Sequence, residues 1–588
     1  MRRFAPTVAL AAGYALLAWW LDRRALGVAP EAYFDALHVF ANALPGLVAA
    51  LLLVVLTRRP LLSLAVVAGL QVAVYQAQSI KLHLLNDPIG LQDVYFLSDL
   101  SPSSLSLLGH YIEHPLLLGA AVLAALALLV LAWRLEKPAF RAFRATHALL
   151  AVIAVALPAT LVMARQPWSG LYDEALVRPS RFGPKPAVLR AGLMSSLVYD
   201  HLRSGKMVGA VDEPALARLF RLVPPQPRPA GAATPDAALP DIVIILSESL
   251  FDPTTMKGMA SLPDTIPVTR AAIASGAGGY MSVPAFGGGT VRTEFEIMTG
   301  MPVEAFPEAR FPYVSLVRQD IPSLVSALEA HGYRTVAVHG NAGSFWNRRN
   351  AYKAMGMDRF ITRDEFPADA PHDGLWISDA AMTDVILAQL RQPGPPRMVL
   401  ALSMETHGPY KDLDGVDTAE RDAVQVPAAL APPEAEALRN YLYHAHHADA
   451  QLGRLMRALR ANRRPAVVLF FGDHLPALPK VYARMGFVDG RSGPKQEVPW
   501  VLWRSDRQLH VARDDPAMES WMLPGLLLQA AGVAGDPYFS TIAGVVDKFA
   551  DATPAQRHIL AKGMQAAAVA RMDGTFAQRR DGRAGAAR

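Results

Sequence analysis

Five apolar runs crowded into the first 165 residues constrain this chain more than anything that follows them. Runs of about 20 such residues cross the hydrocarbon core of a bilayer as helices. They occur at 5–21, 38–57, 61–79, 115–133 and 147–164, with nothing comparable afterwards. The expectation is an α-helical membrane domain of five transmembrane helices over 1–165. The first run ends in AWWLDRR without a small-residue cleavage site, so it reads as a retained helix and not a signal peptide. With five spans, Arg2, Arg3, Arg58, Arg59, Arg134, Lys137, Arg141 and Arg144 share one side of the membrane. An excess of Arg and Lys marks the cytoplasmic side. The cluster at 134–144 carries the argument, since Arg23, Arg24 and Lys81 lie opposite. An odd number of spans then puts everything after about residue 165 outside the cytoplasm.

The chain has no cysteine, which removes disulfides and thiolate chemistry and leaves oxygen and imidazole as the only metal ligands. The loop between the third and fourth runs reads either as short interfacial helices or as a plain connector. Residues 166–239 read as juxtamembrane helices and then a stiff Pro/Ala-rich linker. From 240 to 545 short apolar strands alternate with helices, the pattern of an α/β domain with a mostly parallel central sheet. The clearest strands are 241–247, 333–340, 397–404 and 466–474. Residues 546–588 read as a C-terminal helix and a basic tail, a disordered end with no nucleic-acid partner.

Open α/β sheets bind ligands at the carboxyl ends of their strands. All four strands end in polar clusters: Glu248, then His339 and Asn341, then Glu405 and His407, then Asp473 and His474. Between the first two lies AFGGGTVRTEFEIMTG, in which Gly287, Gly288 and Gly289 permit a tight turn and Thr290 opens a helix. Thr290 reads either as an N-cap, with Glu294 supporting the first turn, or as a nucleophile in the positive end of the helix dipole. A threonine hydroxyl needs activation by a base or a metal. Glu248, Asp473 and His474, with Thr290 as fourth ligand, suit one divalent metal, Mn²⁺, Mg²⁺ or Zn²⁺.

These motifs, SES, the Gly-rich turn with Thr and EF, SFWNR, METHGPY and FGDH, occur here in the order found in the lipoteichoic acid synthase family. The resemblance covers about 240–545, and five preceding spans agree with it. It implies a sulfatase-like domain of the alkaline phosphatase superfamily and a single metal site, Mn²⁺ foremost. Thr290 is implied as the nucleophile that carries a phosphoglycerol group, with Glu248, Asp473 and His474 completing the site. Trp346, Arg348 and His407 are implied to hold the substrate head group; His339, at its strand end, is a further substrate-binding candidate, and either His407 or His339 would handle a proton in the two half reactions.

The donor implied is phosphatidylglycerol and the acceptor a periplasmic glucan or a glycerol phosphate polymer, at a multi-pass inner membrane with the catalytic domain on the periplasmic or extracytoplasmic side. Gly289, Val291 and Arg292 stand where polymerising relatives often carry lysine, serine and aspartate, which puts polymer growth in doubt. Alternatives are a phosphoethanolamine transferase acting on lipid A and a metal-dependent phosphodiesterase. A formylglycine sulfatase lacks its Cys here, and no Ser-x-Pro-x-Arg replaces it. His444, His446 and His447 read as ordinary helix histidines, far from any strand end.

Overall fold

In the computed structural model the described residues are 5–27, 35–85, 87–93, 115–139, 145–178, 185–203, 208–224, 239–316, 320–411, 413–509, 511 and 518–581. The loop at 94–114, the linker core at 225–238, Arg2, Arg3, Arg141, Arg144 and the last seven residues lie outside them. The chain divides into two compact units, 1–206 and 207–588.

In the first unit each apolar run is a helix: Ala5–Leu26, Ala36–Thr57, Pro60–Leu85, Pro115–Leu135 and Ala145–Val162. Three of these helices, from Ala36, Pro60 and Pro115, are long and apolar enough to cross a membrane. No residue of Pro115–Leu135 is buried, so its Leu and Val side chains need an apolar surrounding that water does not supply. Short helices follow at Lys185–Ala191 and Leu193–Arg203. Asp22 and Asn42, both buried, anchor the second of them. Leu193 N donates to Asp22 at 3.2 Å, Ser195 N donates to Asn42 Oδ1 at 2.9 Å, and Asn42 Nδ2 donates to Asp22 at 2.7 Å. Orphan donors at a helix start are satisfied this way by side chains of other helices.

Among its described residues the second unit has ten strands: β1 Asp241–Ser247, β2 Gly278–Ser282, β3 Arg334–His339, β4 Arg359–Ile361, β5 His372–Asp373, β6 Trp376–Ile377, β7 Arg397–Leu402, β8 Ala466–Gly472, β9 Val498–Arg504 and β10 Met518–Glu519. Eight of them form one sheet in the order β10-β2-β9-β8-β1-β7-β3-β4, while β5 and β6 pair separately. From β8 to β4 the strands are parallel, and β9 runs antiparallel to both β8 and β2. All seven residues of β1 and of β8 are buried, as expected where helices cover both faces.

The register matters most for function. Ser247 lies opposite Gly472, Leu246 opposite Leu402, and His339 opposite Leu402. Four strands therefore end level, and the residues that follow them emerge together. The short β2, β4, β5, β6 and β10 lack the long apolar runs that made the parallel strands legible, and β9 carries a proline in its run. Helix Glu213–Leu222 belongs to this unit, where it packs along the C-terminal helix Pro554–Met572.

Candidate active site

Because Ser247 pairs with Gly472, Glu248 and Asp473 leave the sheet side by side. Two close approaches hold them there. A Cβ on Gly472 would stand 1.9 Å from the Leu250 carbonyl oxygen, which explains the glycine of FGDH. Ser249, at φ +55°, turns its N–H onto Asp473 Oδ1 at 2.8 Å. The Thr293 hydroxyl donates to the Asp473 carbonyl at 2.8 Å, and the Thr406 hydroxyl donates to that of Glu248.

Thr290 is delivered to the same point by Gly287, Gly288 and Gly289, all at positive φ (+68°, +148° and +85°). Such a succession is open to glycine and strained for other residues. Helix Val291–Thr299 starts at Thr290, but the hydroxyl makes no capping hydrogen bond. The N-cap alternative for this side chain is thereby corrected; Glu294 does lie in the first turn, but its carboxylate is taken by Arg348 and Tyr352. The Thr290 hydroxyl instead donates to Glu248 Oε2 at 3.1 Å and lies 3.4 Å from His474 Nε2.

His474 Nε2 lies 3.3 Å from Glu248 Oε1 and 3.2 Å from Asp473 Oδ2. Its Nδ1, 2.9 Å from the Leu475 carbonyl, is the protonated nitrogen of the neutral ring, which turns the Nε2 lone pair inward. Donor atoms around a tetrahedral ion at about 2.0–2.1 Å lie about 3.3 Å apart. The four separations of 3.1–3.4 Å among these side chains are close to that figure. Asp473 Oδ2 is also buried with no hydrogen-bond partner, as a ligand atom lacking its cation would be.

Electrostatics agree. Burial, then the charge of Glu248, pushes the Asp473 carboxyl up to about 7. Burial would raise Glu248 as well, yet His474 outweighs it and holds Glu248 at about 2. Asp473 and Glu248 lift His474 to about 9 against its own burial. Each of the three groups shifts the others in a water-poor site, and a divalent cation would take over the place of the proton they share.

Beside this group, Arg348 is buried and donates from Nε to Glu294 Oε2 at 2.9 Å and from Nη1 to His339 Nε2 at 3.2 Å. Tyr352 donates to the other Glu294 oxygen at 2.5 Å. Burial and then Arg348 lower His339 to about 3, so His339 is a neutral acceptor that steadies the guanidinium. Trp346 and Asn347 adopt left-handed conformations, φ +59° and +61°, a strain of roughly 1–3 kcal/mol each. Trp346 packs on Phe311 with ring centroids 4.8 Å apart, and Asn347 Nδ2 donates to the Tyr313 carbonyl at 2.6 Å. The half-buried His407 ring sits edge-on to Trp376 at 5.2 Å, and Trp376 Nε1 donates to the His407 carbonyl at 2.8 Å.

Sequence reasoning missed Glu294 as the counter-ion of Arg348. Its position four residues after Thr290, on the same helix face, was the available signal. A second correction concerns His444 and His447. They lie against Asp373 and against Glu405, three residues beyond the end of β7, because helix Pro432–Arg460 carries them back to the sheet.

Glu296, on the helix that Thr290 opens, makes a prediction of its own. It is buried, accepts from Val303 N at 2.8 Å and meets the Ser520 hydroxyl. Burial raises its carboxyl from 4.5 to about 8. The folded state therefore holds a proton that the unfolded chain releases, and the stability this confers is full below pH 4.5 and lost as pH rises through about 8. Glu296→Gln, which keeps both contacts, is expected to match wild type at pH 5 and to melt a few degrees higher at pH 8. Thermal unfolding at both values checks it, and an equal loss at both pH values would refute the assignment.

A family model described as Sulfatase matches residues 240–533, half of the chain. A protein of Rhizobium meliloti (strain 1021), named provisionally for cyclic beta-1,2-glucan modification, is 31% identical over 355 residues, 58% of this chain and 52% of that protein. Lipoteichoic acid synthase 2 of Bacillus subtilis (strain 168) is 22% identical over 200 residues, 32% of this chain and 29% of that enzyme. The chain thus spans about half the length of the Rhizobium relative and less of the Bacillus one. Among solved structures, the Streptococcus pyogenes phosphoglycerol transferase GacH in complex with sn-glycerol-1-phosphate aligns with a TM-score of 0.49 and 18% identity. That alignment covers 63% of this chain and 99% of that one.

Proposed function

Because the chain belongs to the sulfatase family, we propose that it is a membrane-anchored phosphoglycerol transferase. It moves glycerol phosphate from phosphatidylglycerol, through a covalent intermediate on Thr290, to an extracytoplasmic glycan or polymer acceptor. The observation that carries this reading is the Thr290 hydroxyl, buried, spared from helix capping and aimed at Glu248 and His474.

Thr290 passes its proton along its hydrogen bond to Glu248 as Oγ1 attacks phosphorus in line, forming a threonyl phosphodiester as the bond to the diacylglycerol oxygen breaks; the proton returns to Oγ1 when the acceptor frees it. A divalent cation held by Glu248, Thr290, Asp473 and His474, Mn²⁺ foremost, supplies Lewis acidity that lowers the hydroxyl pKa and offsets phosphoryl charge. Arg348, already oriented by Glu294 and His339, presents guanidinium hydrogens to phosphate. Trp346 offers its ring to the glycerol. His407 gives a proton to the departing diacylglycerol oxygen and takes one from the acceptor hydroxyl; His339, engaged by Arg348, serves orientation. An acceptor hydroxyl then attacks the same phosphorus and frees Thr290.

Five transmembrane helices over 1–165 keep this chemistry beside its lipid donor. The segment 166–239 leads from them to a catalytic domain on the extracytoplasmic side of the inner membrane. The name of the Rhizobium relative supports a glycan acceptor. The test is the intact mass of the full-length protein after incubation with Mn²⁺ and either phosphatidylglycerol or phosphatidylethanolamine, with peptide mapping around Thr290. A phosphoglycerol adduct on Thr290 is expected. A phosphoethanolamine adduct would transfer the chain to the lipid A reading, and free glycerol phosphate released without an adduct or glycan product would mark a hydrolase.

A further inference from the structure

The second cluster of titratable groups in this unit is not used by the chemistry above. Asp373 comes from β5, Glu405 from the segment after β7, and His444 and His447 from helix Pro432–Arg460, where spacing of three puts them on one face. Asp373, Glu405 and His444 are all at least nine-tenths buried. His444 Nδ1 lies 3.5 Å from Glu405 Oε1 and 3.9 Å from Asp373 Oδ1. One ligand atom from each of the three falls within 4.8 Å of the others.

The pattern of hydrogen bonds separates this cluster from an ordinary buried ion-pair network. Glu405 Oε2 accepts from Asp379 N at 2.6 Å, and Asp373 Oδ2 accepts from Tyr443 at 3.2 Å and meets His447 Nδ1 at 2.9 Å. The other oxygens, Glu405 Oε1 and Asp373 Oδ1, and the facing His444 Nδ1 are buried without a hydrogen bond, although Glu405 Oε1 also stands 3.4 Å from His447 Nδ1. Three buried polar atoms that lack hydrogen bonds and converge on one point are the arrangement a shared cation would satisfy.

We propose that Asp373, Glu405 and His444 form a second divalent-cation site, with His447 beside it, separate from the site at Thr290. Two carboxylates and an imidazole form a donor set suited to zinc, and separations of 3.5 and 3.9 Å contract to the roughly 3.3 Å of a tetrahedral site with small side-chain shifts. The role is positional. Asp373 pairs in register with Trp376 across β5 and β6, and Trp376 holds the His407 carbonyl. Glu405 lies two residues before His407, and the intervening Thr406 bonds the Glu248 carbonyl. An ion joining Asp373, Glu405 and His444 therefore ties to one long helix both the hairpin and the segment that set His407.

The test is metal stoichiometry of the full-length protein in detergent, equilibrated with Zn²⁺, freed of excess and analysed for bound metal. Wild type is expected to hold two ions per chain, Asp473→Asn one, His444→Ala one and the double variant none. A crystal of Asp473→Asn should show an anomalous zinc peak between Asp373, Glu405 and His444. One ion in wild type that vanishes in Asp473→Asn would overturn the proposal, as would a wild-type count retained by His444→Ala or a peak elsewhere. If His444→Ala fails to fold, the count and the peak in Asp473→Asn decide alone. One wild-type ion that survives Asp473→Asn and is lost in His444→Ala supports the second site while refuting the first, so the two readings fail separately.

Discussion

Thr290→Ala is expected to abolish transfer, with turnover falling by at least about 10⁴-fold, while the fold stays intact. The size follows from the role: removal of a nucleophile in covalent catalysis costs roughly 10⁴–10⁶ in kcat, because nearby groups cannot form the bond in its place. The structural cost is small, since the hydroxyl donates to Glu248 at 3.1 Å, has only a long 3.4 Å contact with His474 and caps nothing. Losing such a bond costs on the order of 1 kcal/mol. Glu248, Asp473 and His474 remain to bind the cation. The measurements are transfer of labelled head group, far-UV circular dichroism and bound metal on the same preparation. Residual transfer within about tenfold of wild type would remove Thr290 from the mechanism, whereas lost activity together with a lost fold would assign it a structural role only.

The second large effect is on stability. Glu294 is the counter-charge of Arg348, and both are buried almost completely, at 1% and 3% side-chain exposure. Burial opposes the Arg348 charge and Glu294 sustains it, raising its pKa above the usual value. Glu294→Ala strands a guanidinium in the interior and frees the Tyr352 hydroxyl. Breaking a buried pair from one side costs about 3–5 kcal/mol. The second unit is therefore expected to lose that much in denaturant unfolding followed by tryptophan fluorescence. The double variant Glu294→Ala with Arg348→Met is expected to recover more than half of the loss, because no charge is then left unpaired. A loss under about 1 kcal/mol, or no recovery, would show that the pair is not what holds this corner together.

Much of this protein is legible in its amino-acid order. The apolar runs became helices because hydrophobic runs of that length have few other stable states, and the four parallel strands stood out because burial on both faces demands unbroken Val, Ile and Leu. The site residues were legible for a related reason: polar groups at strand ends converge in any open α/β sheet. The antiparallel β9 stayed hidden, since VPWVLWR carries a proline and no alternation to announce it.

What only the tertiary structure decided is pairing across sequence distance. Nothing local says that Ser247 stands opposite Gly472, that Glu294 rather than solvent neutralises Arg348, or that the Thr290 hydroxyl declines its cap for Glu248. The same holds for His444 and His447, ordinary on their own helix and charged with meaning only beside Asp373 and Glu405. Composition and periodicity report what each residue needs, burial or water. Which partner meets a buried charge depends on the register of strands and the path of helices, and those are properties of the whole packed chain.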